Sequence, residues 1–122
     1  MLKEAMLALR VTDMEYAPEI CRLLKSAEMD LKIAGVTIQG TVAYDIAEDE
    51  QTGAITVTDN SDIENEMVQT AMITYCRANF GSPPDYDKLA ASYDLQRRQL
   101  ANATGYTNFT GETADAEAGA EA

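Results

Sequence analysis

The side chains that could do chemistry here include carboxylates, two thiols and six tyrosines, but no histidine occurs in the 122 residues. Without imidazole, the commonest general base and the commonest metal ligand are both missing. Cys21 and Cys76 lie far outside CxxC spacing, so no thiolate zinc site is expected. Both fall inside apolar helical patterns, where a reduced cysteine packs as a small apolar group. Glu48, Asp49 and Glu50, followed by Asp59, Asp62, Glu64 and Glu66, offer oxygen ligands for a hard cation such as calcium or magnesium. The spacing fits no EF-hand, however, since the glycine and the closing glutamate are misplaced. A solvated loop followed by a capped helix start accounts for the same residues. No glycine-rich phosphate loop and no GxSxG elbow is present. The expectation is a protein with no metal, no cofactor and no catalytic site.

Charge narrows the partners. Nine basic residues against 21 acidic ones give a net charge of −12, which opposes a surface that grips nucleic acid through its phosphates. No lysine or arginine lies between Lys32 and Arg77, so the acid is concentrated in the middle of the chain. Tyr86, Tyr93 and Tyr106 with Arg97 and Arg98 could stack bases and hold phosphates. Tyr86 and Tyr93 stand one heptad apart on a helical seam, though, and read as packing residues. Arg97 and Arg98 form too small a patch to offset the remaining charge, and are expected to pair with a partner's acids.

These residues must be positioned by a single domain with one core. Leu2, Met6 and Leu9 share a face of a first short helix that should stop near Thr12-Asp13. Pro18 suits the first turn of a second helix, in which Ile20, Leu23, Leu24, Ala27, Leu31 and Ala34 make a buried stripe ended by Gly35. From Thr37 to Thr58 the period becomes two: Val42, Tyr44 and Ile46 alternate with polar or small neighbours, as do Ile55 and Val57. These are the strands of a β-hairpin whose connecting loop spans Glu48 to Gly53. Ser61 and Glu64 form a capping box ahead of a third helix with Ile63, Met67, Ala71, Tyr75 and Ala78 at helical spacing. Gly81 ends it, Ser82-Pro83-Pro84 makes a rigid corner, and a fourth helix from about Asp85 to Gly105 carries Tyr86, Leu89, Tyr93, Gln96, Leu100 and Ala103 as a pairing seam. The fold class expected is mainly α, a small four-helix bundle-like domain over residues 1–109 with a hairpin inserted at about 37–58, between the second and third helices. Residues 110–122 contain no apolar side chain larger than alanine and are expected to form a disordered acidic tail. No segment reaches the length of a membrane span, and Lys3 and Glu4 do not suit a signal peptide.

The run Ala71 to Phe109, with Tyr75, Arg77-Ala78-Asn79-Phe80-Gly81, Asp85-Tyr86, Tyr93-Asp94 and Ala103-Thr104-Gly105-Tyr106, resembles the C-terminal helical pair of the phage head-tail connector proteins, also known as DNA-packaging or portal-adaptor proteins. Leu7 to Gly35 resembles their N-terminal helices. The hairpin and the acidic tail exceed that family's minimal pattern. The resemblance implies a structural subunit in a ring of about twelve copies. Such a ring docks under the portal protein of a tailed bacteriophage head, extends the DNA channel and receives a tail-side stopper or completion protein. It implies assembly in the host cytoplasm and residence at the head-tail junction of the virion, without a membrane. Val42, Tyr44, Ile46, Ile55, Val57, Arg97, Arg98, Tyr106 and Phe109 are then candidate interface residues. Glu48, Asp49 and Glu50 are candidate channel lining, where acid would repel phosphates and let DNA pass without sequence-specific binding. The other reading is a small cytosolic helical adaptor or regulatory module that receives a partner helix on Met67 and Met72. A DNA-binding helix-turn-helix is disfavoured because neither central helix is basic.

Overall fold

The computed structural model describes residues 1–107. Four helices run in chain order, α1 (Leu2–Leu9), α2 (Ala17–Ile33), α3 (Glu66–Asn79) and α4 (Tyr86–Thr107), with a 3-10 turn at Met14–Tyr16 before α2. Strands β1 (Tyr44–Glu48) and β2 (Ile55–Asp59) form an antiparallel hairpin between α2 and α3. The mainly helical class and the inserted hairpin both match the sequence reading.

Helix α3 is the hub, packing against α1, α2 and α4, and α1 also packs on α2. The buried stripe of α2 comprises Ala17, Ile20, Cys21, Leu24, Ala27, Glu28 and Leu31. Leu23 is only half-buried and Ala34 is exposed. The expected stop is present. Gly35 has φ +100°, its N–H donates to the Lys32 carbonyl at 3.0 Å, and that of Val36 donates to Leu31 at 3.0 Å. This paired return satisfies the last carbonyls and folds Val36 back onto the core.

The same device ends α1, earlier than Thr12-Asp13. Arg10 takes the left-handed conformation at φ 60°, with its N–H on Leu7 at 3.1 Å and the Val11 N–H on Met6 at 2.9 Å. Its buried face is Leu2 and Ala5, with Met6 and Leu9 half-buried and Leu7 left 78% exposed. Asp13 has a different task, capping the 3-10 turn by accepting from the Glu15 N–H at 2.9 Å.

Helix α3 does not begin at the expected Ser61–Glu64 box. Asn65 is its N-cap, with Oδ1 accepting from the N–H groups of Met67 (2.9 Å) and Val68 (3.1 Å). The Ser61 hydroxyl is committed elsewhere, accepting from the Ala43 N–H at 3.0 Å on the chain leading into β1. The inward face of α3 is therefore Val68, Ala71, Met72, Thr74, Cys76 and Ala78, whereas Met67 is 63% exposed and Ile63 is buried ahead of the helix. In α4 the central seam residues Leu89, Tyr93 and Leu100 are buried and Gln96 half-buried, but Tyr86 and Ala103 at the ends face outward. The helix runs through Gly105 to Thr107, since a glycine in a last turn costs only about 1 kcal/mol. The expected tail lies outside the described residues, among which no helix is long and apolar enough to cross a membrane.

A non-glycine residue in the left-handed region costs about 1–2 kcal/mol, part of which is recovered by the entropy that glycine would add to the unfolded chain. Arg10→Gly is expected to stabilise the protein by roughly 0.5 kcal/mol, read as a higher urea midpoint with unchanged slope. A lower midpoint would show that the arginine side chain does more than tolerate the stop.

Candidate assembly surface

The hairpin is anchored by carboxylates. Glu28, on the core side of α2 and only 6% exposed, accepts from the Val42 N–H at 2.9 Å and from the Thr41 hydroxyl at 2.9 and 3.0 Å, and pairs with Lys32 Nζ at 2.7 Å. Burial alone would push its pKa up. The Lys32 ion pair and the bonds from Val42 and Thr41 outweigh that, and the net shift is downward. Asp62 Oδ1 accepts from the Thr41 N–H at 2.7 Å. At Gly40 (φ +93°) a Cβ would stand 2.6 Å from the Asp62 carbonyl oxygen, so this crossing requires glycine.

Asp59 closes the base of the hairpin against α1. Its carboxylate accepts from the Leu2 N–H at 3.0 Å, the Met1 ammonium at 2.9 Å and the Ser61 N–H at 3.0 Å. Burial opposes ionisation, but these donors win and bring the carboxyl down to about 2. Asp49 organises the far loop, with Oδ1 accepting from Gln51 (2.7 Å) and Thr52 (3.2 Å), and its N–H donating to Ala54 at 2.9 Å. It is thus a turn former, and it is exposed like its neighbours Glu48 and Glu50. Glu48 and Glu50 are exposed and make no ion pair among the described residues.

The candidate interface residues divide by depth along the hairpin. Val42 precedes β1 and is buried in the chain's own core, so it is not offered to a neighbour. Tyr44 and Val57 pack half-buried against that core, with the Tyr44 hydroxyl buried. Ile46 pairs across the sheet with Val57, and Glu48 with Ile55, so Tyr44, Ile46 and Glu48 share a face with Ile55, Val57 and Asp59. Ile46 on that face is 46% exposed.

Arg97 and Arg98 find acids inside the chain. Arg97 bridges Asp30 of α2 at 3.1 Å and Asp94 at 2.7 Å, and Arg98 Nε donates to Asp94 at 3.0 Å. Tyr93 donates to Asp30 at 2.6 Å, meets Tyr75 edge-on at 5.2 Å between centroids and lies 5.7 Å below the Arg97 guanidinium. The Arg97 bond holds the Asp94 carboxyl below its ordinary value. Tyr106 belongs to the last turn of α4, and Phe109 lies outside the described residues.

Both cysteines are free and buried, and burial pushes their thiols up to about 11 at Cys21 and about 12 at Cys76. Among the described residues no group of three or more cysteines, aspartates or glutamates is placed to hold a metal ion. Two of the open grooves among the described residues bear on the site. One, of about 420 Å³, lies between α1, the 3-10 turn and β2, with an apolar lining of Leu2, Met6, Leu7, Val11, Met14 and Val57 edged by Lys3 and Asp59. The other, of about 360 Å³, lies between α3 and α4 and is lined by Glu66, Met67, Thr70, Gln96, Gln99 and Leu100, with the buried Gln96 Oε1 receiving no hydrogen bond. Met72, paired with Met67 in the adaptor reading, is fully buried and takes no part in this groove. Comparison with family models, with curated proteins and with solved structures gives no match to the chain.

Sequence reasoning missed Glu28 and Asp59 as anchors. Glu28 had a signal, since it stands four residues after Leu24 and three before Leu31, on the buried stripe. Glu28→Gln leaves Lys32 unpaired and turns an amide toward donors, so a loss of about 2 kcal/mol at neutral pH is expected. Glu28 and Asp59 both have depressed pKa values. Their contribution is therefore complete above the ordinary values of 4.5 and 3.8, and is lost on acidification, for Asp59 as the pH falls through about 2. Urea unfolding followed through this acid range should show a shallower upper slope in Glu28→Gln than in wild type, and identical slopes would remove Glu28 from the account.

Proposed function

We propose that this chain is a non-enzymatic structural subunit that assembles into a head-tail connector ring, docks under a portal protein and passes DNA through an acidic channel. The observation that carries this is the hairpin, fixed at its base by Glu28, Asp59 and Asp62, yet leaving Ile46 and the Glu48–Glu50 carboxylates exposed beyond the helical core. Two strands alone are marginally stable and expose unpaired edges. A rigidly held pair with an apolar face is suited to completion by another molecule. The likeness of the α3–corner–α4 segment to the connector proteins supplies the particular kind of assembly. Net negative charge suits DNA passage without adhesion.

The groove between α3 and α4 gives the adaptor reading some support, because Met67 is 63% exposed at its edge and the Gln96 carbonyl oxygen awaits a donor. A partner helix seated there would use a surface separate from the hairpin.

The two readings separate in one experiment. Replacing residues 48–55 by Asn-Gly, together with Ile46→Thr, keeps Tyr44, Val57, Asp59 and all the base contacts while removing the exposed apolar side chain and the acidic loop of the hairpin. We expect the variant to retain wild-type helical circular dichroism and to lose ring formation, alone or with portal protein, in electron micrographs. Rings that persist would refute the hairpin's role, and a wild-type chain that forms no ring even with portal protein would refute the connector reading.

A further inference from the structure

The outer face of α2, turned away from the core stripe, combines two exposed apolar side chains with two cations. Met29 is 58% and Ile33 78% exposed, the latter level equalled only by Leu7 among the exposed large apolar residues of the described chain. At 100° per residue Arg22, Met29 and Ile33 fall on one line, with Lys25 beside it. Arg22 and Lys25 are exposed and make no ion pair among the described residues, in contrast to Lys32, which is tied to Glu28, and to Arg97 and Arg98, which are tied to Asp30 and Asp94. Glu19 flanks the N-terminal end of this stripe. The hairpin is the converse surface, with exposed Ile46 among carboxylates, of which Glu48 and Glu50 have no cation. The chain thus carries an apolar face rimmed by unpaired positive charge and another rimmed by unpaired negative charge.

Their dimensions are comparable. From Arg22 to Ile33 the helix advances about 16 Å at 1.5 Å per residue, and from Tyr44 to Glu48 the strand advances about 13 Å at 3.3 Å per residue. We infer that the hairpin of one copy docks on the outer face of α2 in the next, placing Ile46 against Met29 and Ile33 and Glu48 and Glu50 against Arg22 and Lys25. This contact is heterologous, joining unlike surfaces, so each subunit uses both and the contact propagates until a ring closes or a filament forms. The inference rests on the connector-ring reading and adds to it the two faces that meet. It also explains how a chain with net charge −12 can associate with itself, since the attraction is local.

Two charge reversals test it, Arg22→Glu with Lys25→Glu in one variant and Glu48→Lys with Glu50→Lys in another. All four side chains are exposed, so both variants should fold, with circular dichroism as the check. In sedimentation velocity, wild-type association should weaken with added salt. Each variant alone should associate more than about tenfold more weakly than wild type, because like charges then face each other. An equimolar mixture should regain association, because every contact in an alternating assembly again joins opposite charges. Variants that each associate as wild type, or a mixture that gains nothing over its components, would overturn this pairing of faces while leaving the ring reading intact. A wild-type chain that stays monomeric at all concentrations and with portal protein would overturn both.

Discussion

A carboxylate inside the core governs how the two halves of this molecule meet. Glu28 occupies a place on α2 where an apolar residue would pack well. It remains charged there because Val42, Thr41 and Lys32 occupy its oxygens. Its removal would strand a buried N–H, and its presence fixes where the chain leaves the helical layer. Everything beyond Val42, including the direction in which the hairpin projects, inherits that constraint. The same chemistry recurs through the acidic middle of the chain. Asp62 serves Thr41, Asp59 serves Leu2 and Ser61, and Asp49 serves Gln51 and Thr52. In each case a carboxylate supplies the acceptor that a larger sheet or a longer helix would have provided. Much of the acidity is therefore architectural, and the part left over for intermolecular use is narrower than the composition implies.

The helical layer works by close approach. Ala5, Ala17, Ala27 and Ala71 are fully buried at the junctions of α1, α2 and α3, with Ile20, Leu24, Leu31 and Met72 filling the space between them. Helix α4 is attached differently. It packs Leu89, Tyr93 and Leu100 on α3 and reaches past it to α2 through Tyr93 and Arg97, which share Asp30. The long α4 is thereby held at its middle.

Local chemistry was legible in the residues and non-local chemistry was not. The stripe of α2 and its Gly35 stop follow from spacing and from one residue's tolerance of positive φ, and both are present, with Leu23 and Ala34 at the edge of the stripe and not inside it. The hairpin follows from alternation. The start of α3 does not follow in the same way, because Ser61 and Asn65 both offer side-chain oxygens at plausible distances from the helix. The choice is settled by Ala43, 18 residues upstream, which donates its N–H to the Ser61 hydroxyl. Arg10 illustrates a different limit. Nothing in an arginine announces a left-handed residue, and the end of α1 is fixed by the return of Val11. Arg97 shows both cases, since Asp94 three positions before it is legible from helical spacing, whereas Asp30, 67 positions away in sequence, is invisible from local pattern.

The two thiols have a kinetic use. Cys21 and Cys76 are 2% and 0% exposed, on α2 and α3, the pair of helices at the centre of the core. Their thiolate fraction at neutral pH is minimal, so an alkylating reagent meets a competent nucleophile only when these helices part. Labelling will be slow whenever reclosing outpaces the reagent, and its rate then measures the equilibrium between closed and open core. The chain contains no other cysteine to confuse that signal. Its own sequence thus provides a clock for the opening of the helical layer, readable in the free subunit and again after any assembly that braces α2.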